Sequence, residues 1–339
     1  MCRRFLIIFL LTILLQNITY VNGDNSQQLL PPNLDGPTSV NINLYISDIL
    51  SINEKEQTFE IDGFITAQWI DHRLSFDQEE FGFPWKTYRN EIVSQKFEED
   101  TWWPDLYLVK SKGKREILNS FLEVYPDGSV FYEEKFKAVI KHPFYLGDFP
   151  FDTHLVNLTI SSFSYTDYEL VFNSEVEPQT FTWETNEWIV TDSGKLVIEN
   201  IDTLPYATYT LGISRIPWFY ISKYVLPLVL IISISWAVFW MDYDSVSISD
   251  RVEISLTSVL TIVAFDFVST ESLPKLSYFT ILDTIMIISY IILSLTILET
   301  LLSYVLTKKG QKNYARKFDF LSRIIFPLAY YTSIILILL

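Results

Sequence analysis

Cysteine is almost missing from this chain: Cys2 is the only one, so no intrachain disulfide can form. Basic residues are scarce too. Lys and Arg number 25 against 41 Asp and Glu, a net charge of -16, which argues against nucleic acid and against docking on an anionic lipid surface. Such a balance suits a domain that gathers cations. Between Val40 and Ile216 there is no long apolar run. No nucleophile motif or phosphate loop stands beside His142, Asp152 and His154, and two or three such residues without a further ligand make a poor metal centre. An enzyme is therefore not expected, nor a cofactor.

What is present divides the chain in two. Residues 1–23 open with Arg3 and Arg4, continue as an apolar run from Phe5 to Leu15 and reach Val21 and Gly23, the order of a secretory signal peptide. Residues 24–217 carry short alternating segments rich in Phe, Tyr, Trp, Val and Thr, broken by Pro, Gly and Asp. That pattern predicts an antiparallel, immunoglobulin-like β-sandwich of about ten strands. Tyr125-Pro126-Asp127-Gly128 is a hairpin turn within it. Residues 218–339 hold four apolar stretches, 218–240, 249–270, 278–306 and 322–339, which predict a four-helix all-α transmembrane domain. Pro227 interrupts the first and predicts a kink or a local gap in its hydrogen bonding. The Lys- and Arg-rich segment Thr307 to Arg323 places that connection in the cytoplasm and the N-terminal domain outside, extracellular or periplasmic, on a multi-pass protein of the cell membrane.

Polar residues inside the second stretch are its most informative feature. Glu253, Thr257, Leu260, Ala264, Phe267 and Glu271 recur at i, i+4, i+7, i+11, i+14 and i+18, one stripe of a helix. An ionisable group at membrane depth is costly unless it meets water or a partner, so the stripe predicts a water-lined path, or else a polar seam between helices. If several copies surround an axis, Asp250, Glu253 and Glu271 form acidic rings that favour cations, and Leu260 and Phe267 form apolar constrictions. A ring of Glu253 would also attract a divalent cation and make conductance sensitive to pH.

The ordered set VYPDGSV (Val124 to Val130), HPFYLGDFPFDTHLV (His142 to Val156), WWPD (Trp102 to Asp105), QWIDHRL (Gln68 to Leu74), NEKEQ (Asn53 to Gln57), SDRVEISLTSVLT (Ser249 to Thr261) and LPK (Leu273 to Lys275) resembles the pentameric ligand-gated ion channels, the Cys-loop receptor family. The signature loop here has His142 and Val156 in place of the two cysteines, as in the bacterial members that lack the disulfide. The resemblance implies a homopentamer in the lipid membrane, with a small-molecule agonist bound between adjacent outer domains and a central pore for monovalent cations.

The same resemblance implies roles for particular residues. Phe163, Tyr206 and Tyr107 are expected on one side of the agonist site, and Trp69, Phe131 and Glu133 on the other. Such an aromatic box attracts an ammonium group by about 0.5–2 kcal/mol per ring, which points to an amine. Glu54, Asp152, Arg215 and Pro274 are expected to couple binding to the pore, Asp152 and Arg215 as a charge-assisted pair. Arg251 is expected to turn away from the axis. Protons are the alternative trigger, with His72 beside the site and many carboxylates. A non-conducting membrane-anchored receptor is the remaining reading.

Overall fold

A computed structural model describes residues 29–93, 101–174, 182–241, 246–272 and 275–338. The expected signal peptide and Pro274 lie outside them, as does the side chain of Glu271.

Alternation builds the N-terminal half. Strands β1 (Thr38–Asn53), β2 (Thr58–Ile70), β3 (Lys86–Arg89), β4 (Leu106–Leu108), β5 (Glu116–Val124), β6 (Ser129–Lys141), β7 (Thr153–Ser162), β8 (Leu170–Asn173), β9 (Trp188–Ile201) and β10 (Leu204–Arg215) follow in order. They form a six-stranded sheet, β3-β5-β6-β2-β1-β8, and a four-stranded sheet, β4-β7-β10-β9. In β6 every second residue, Tyr132, Glu134, Phe136 and Ala138 among them, is buried, while Phe131, Glu133 and Lys135 are half-buried on the other face. Val40, Ile61, Ile65, Leu122, Leu158 and Leu211 meet in the core between the sheets.

The β5–β6 hairpin turns as its sequence predicts. Tyr125 N–H donates to Ser129 O at 2.8 Å and Gly128 N–H to Tyr125 O at 2.9 Å. Gly128 sits at φ +86°, and a Cβ there would lie 2.6 Å from Asp71 O, so glycine is required on both counts. Strand β2 ends at Ile70, where the chain tightens into a short turn at His72–Leu74 capped by Asp71.

Among the described residues four long helices follow: α1 (Trp218–Trp240), α2 (Ile248–Ser272), α3 (Ile281–Lys308) and α4 (Lys312–Leu338). Among the described residues α1, α3 and α4 are long and apolar enough to cross a membrane; α2 is long enough but carries charged residues. Immediately before Pro227, α1 widens into a π-type turn over Ile221–Val225. Proline has no N–H to donate and its ring crowds the preceding turn, so the helix opens there. Helix α3 stops at Gly310, at φ +79°. Only three residues then separate it from α4, which starts ten residues before the apolar stretch that marks it in the sequence. Hydropathy misses that first part because only Ala315, Asp319 and Ser322 are buried there, a narrow stripe at i, i+4 and i+7 among basic residues.

Candidate functional site

Exposure on α2 is one-sided. Asp250, Glu253, Thr257, Leu260, Ala264 and Phe267 are exposed, with Leu260 at 70% and Phe267 at 72%. Arg251, Ser255, Ser258 and Ile262, again at i, i+4, i+7 and i+11, are buried against the other helices. The residues singled out by periodicity therefore share the face that the single chain leaves uncovered. Glu271 continues the helix. Asp266 turns the other way and accepts a hydrogen bond from Tyr290 of α3 at 3.1 Å.

The aromatic residues divide between the two sheets. Tyr107 on β4 and Tyr206 on β10 both stand opposite Ser161 of β7, so all three share one face of the four-stranded sheet. Phe163, just past β7, is 77% exposed and meets Tyr107 edge-to-face at 6.0 Å. Its N–H donates to Asp105 O at 2.9 Å, which fixes the segment beside β4. Phe131 and Glu133 lie on the six-stranded sheet, Phe131 against Phe121 at 5.9 Å. A cavity of about 450 Å³ on that face is lined by Phe64, Arg89, Phe121, Glu123, Glu133 and Lys135 among others. The two aromatic groups do not converge within one chain.

Trp69 is a correction. It is 2% exposed and packs edge-on against Trp102 at 5.8 Å and Trp103 at 5.9 Å. The parity of β2 explains this: its inward set contains Ile61, Ile65 and Trp69, all buried, whereas Phe64 belongs to the outward set and reaches the cavity beside Glu133. Phe64 is the β2 aromatic that reaches the outer face of the sheet, and the sequence reading missed it. The signal was available, since Phe64 precedes Trp69 by an odd number of residues.

Where the halves of the chain meet, three carboxylates converge on one guanidinium. Arg215, at the end of β10, is fully buried and contacts Asp152 at 2.8 Å, Glu54 at 2.7 Å and Glu187 at 2.9 Å. The rings of Trp188 and Phe149 flank it at 4.0 and 4.7 Å. His154 closes the set through its Nε2, 2.8 Å from Asp152 Oδ2. Burial works to raise the pKa of Asp152, but hydrogen bonds from His154 and Arg215 and the charge of the guanidinium outweigh it and hold the carboxyl below its usual range. Burial likewise disfavours the charged Arg215, and Asp152 and Glu54 outweigh that in turn. Both Asp152 oxygens are so engaged, and no cluster of three metal-ligating side chains occurs among the described residues. His72 lies apart from this set, its Nδ1 3.2 Å from Asp127 O in the β5–β6 turn.

The same junction continues into the helices. Tyr145 stacks on Tyr278 at 5.0 Å, Leu146 N–H donates to the Tyr278 hydroxyl at 3.0 Å, and Ile281 N–H donates to Gly147 O at 3.1 Å. Glu187 and Tyr278 were not legible in the sequence as members of this junction, because each joins it through a contact distant along the chain.

His142 stands at one of the two positions where the resemblance implies a cysteine. It packs edge-on against Phe144 at 4.9 Å, and Phe144 against His154 at 5.0 Å. Burial first, then the neighbouring His154 and Lys110, push its pKa down to about 4 from 6.5. A folded-state pKa below the unfolded one means that the unfolded chain takes up the proton first as pH falls. The contribution is fully present above pH 6.5 and is lost as pH drops towards 4, by about 1–2 kcal/mol, discounted because the ring is only half-buried. Urea unfolding at pH 7 and pH 4 should show that loss, and His142→Phe should reduce it; an equal loss in both proteins would refute the assignment.

Comparison with known proteins follows the same division. The ligand-binding domain model of neurotransmitter-gated ion channels matches residues 16–210, and the model of their transmembrane region matches residues 224–315. A proton-gated ion channel of Gloeobacter violaceus is 26% identical over 309 residues, covering 88% of this chain and 82% of that one. The gamma-aminobutyric acid receptor subunit epsilon of Rattus norvegicus is 23% identical, over 89% of this chain and 60% of its own length. Subunit gamma-4 of Gallus gallus is 26% identical, over 83% and 62%. The chain thus spans about three fifths of the receptor subunits it matches.

Proposed function

Since this chain belongs to the neurotransmitter-gated ion-channel family, we propose that it forms a homopentameric cation channel of the cell membrane. Its sandwich stands outside, α1 to α4 all span the bilayer, and α2 lines the axis. The one-sided exposure of α2 carries this reading. A helix in a bundle that buries Ser255, Ser258 and Ile262 and presents Glu253, Thr257 and Leu260 outward has a polar face that lipid would not tolerate. Five copies turned inward give that face water.

The agonist site is proposed at the contact between copies. Tyr107, Phe163 and Tyr206 of one subunit face Phe131, Glu133 and Phe64 of the next, which accounts for two aromatic groups lying on different sheets. An ammonium between such rings is held by cation–π attraction, and Glu133 supplies a counter-charge. A small amine is the agonist class that follows. Binding opens the pore by favouring one arrangement of the junction around Arg215, Asp152 and Glu54 over another, since a ligand that held both equally would shift nothing. Pro274, in the α2–α3 connection, belongs to the same proposal.

Protons are a second reading of the trigger. His154 contacts Asp152, which in turn contacts Arg215, and the Gloeobacter violaceus relative is named as proton-gated.

Whole-cell current from cells expressing the chain, scanned over small amines and over pH, tests both. A current lost when external sodium is replaced by a large impermeant cation establishes the cation pore. Silence in both scans with protein at the surface overturns it. Within the pore, Glu253→Gln should weaken block by external calcium by about tenfold, because the ring loses its charge. Equal block in both channels would remove Glu253 from the axis.

A further inference from the structure

The foot of α2 carries two anions and one cation, and only the cation is drawn back. Asp250 and Glu253 are exposed, whereas Arg251 between them is wholly buried. Its Nη2 donates to Val238 O at the end of α1, at 2.8 Å, and lies 3.5 Å from Asp319 Oδ2 on α4. The other oxygen of Asp319 accepts the Ser303 hydroxyl of α3 at 2.9 Å, and Ser303 also reaches Glu299 Oε1 at 3.3 Å. Glu299 and Ser303 are themselves 2% and 0% exposed. Three helices thus meet at one guanidinium, α2 supplying it, α1 a carbonyl and α4 the acid, and α3 joins them through its hydroxyl on that acid.

Burying an arginine is costly, and removing one partner of such a pair leaves a charge that seeks water. On a helix Arg251 is only about 100° from Asp250 around the axis, within swing of the same face for so long a side chain. A guanidinium released from the bundle therefore has the mouth of the path as its nearest water.

We propose that Asp319, on α4 and away from the conducting face, determines charge selectivity by holding Arg251 inside the bundle. The proposal rests on the reading that α2 lines a cation pore. Asp319 is a positioning residue: it touches no ion, and it sets how many positive charges face the mouth. Arg251 contributes to selectivity only when Asp319 fails to hold it.

The test uses the full-length chain with Leu260→Thr, which replaces an apolar constriction by a polar one and is expected to conduct without agonist. Reversal potentials under sodium chloride dilution then yield the sodium-to-chloride permeability ratio, with surface protein measured by labelling. Asp319→Asn in this background should lower the ratio by about tenfold or more, because the released charges surround the mouth. Adding Arg251→Gln to Asp319→Asn should restore it, and Arg251→Gln alone should leave it unchanged, the pattern of a coupled pair. If Asp319→Asn does not reach the surface, Ser303→Ala removes the hydroxyl that orients Asp319 without altering a charge, and should lower the ratio by about twofold. An unchanged ratio in the variants at the surface overturns the proposal. So does a lowered ratio that persists when Arg251 is also replaced, since general damage to the bundle would not be cured by removing a second side chain. Silence of the Leu260→Thr channel at normal surface levels is a different failure: it removes the pore reading, and this proposal with it.

Discussion

Arg215→Gln is expected to destabilise the protein by about 3–5 kcal/mol and to abolish gated current, because it leaves buried acids with no counter-charge. The depth of the partners decides the size of the effect. The Asp152 side chain is 1% exposed and that of Glu54 22%, whereas that of Glu187 is 47% exposed and can turn to water. Most of the loss should therefore come from Asp152. A double-mutant cycle checks this: Arg215→Gln with Asp152→Asn should recover a good part of the stability lost in Arg215→Gln alone, and Arg215→Gln with Glu187→Gln should recover little. Stability is read by thermal unfolding in detergent and function by current at measured surface density. Arg215→Lys keeps the charge but not the fork that reaches Asp152 through two nitrogens, at 2.8 and 3.1 Å, so it should fall between. Wild-type stability in Arg215→Gln would mean that the convergence of carboxylates does not hold the junction.

Trp69→Ala is expected to cost about 3–5 kcal/mol as a core truncation, while Phe64→Ala should cost far less and change agonist sensitivity instead. Trp69 packs between Trp102 and Trp103, and Trp103 in turn meets Tyr132 at 4.7 Å. Removing the indole opens a cavity among rings that cannot close up. Trp69→Phe should be much milder, since the indole N–H finds no acceptor among the described residues and so gives up no hydrogen bond. Phe64, half-buried beside Glu133 and Lys135, has no such packing to lose. Unfolding measured in parallel with concentration–response curves separates the two. A stable Trp69→Ala channel with altered sensitivity would return Trp69 to the ligand.

These two aromatics also show where sequence reading succeeds and where it stops. Period alone identified the uncovered stripe of α2, because helical spacing repeats over five turns and each of Glu253, Thr257 and Leu260 restates the same direction. In β2 the same logic was available at period two, but the resemblance of QWIDHRL to a family segment drew the ligand role onto Trp69, one face away from the residue that reaches the surface. A slip of one position inverts every side chain of a strand, so a short motif carries little information about which face it presents. The turn at Gly128 was legible because its chemistry is local. Contacts such as Glu187 with Arg215, or Asp319 with Arg251, join residues 28 and 68 positions apart and leave no local pattern. The early start of α4 escaped for a related reason: hydropathy reports lipid-facing surface, and a stripe of Ala315, Asp319 and Ser322 is buried without being apolar.

The hydrogen bond from Ile281 to Gly147 makes the border between the halves of this chain unusual. Thr280 caps α3 through the box it forms with Asp283, yet the first helical N–H is satisfied by a carbonyl of the sandwich. The helix is finished by a part from elsewhere. A transmembrane half produced alone would keep the Thr280–Asp283 box but leave the Ile281 N–H without its acceptor, whatever detergent surrounded the rest. Separating the two halves is therefore not a matter of cutting a linker. It takes one hydrogen-bond acceptor from the first turn of the piece that is kept.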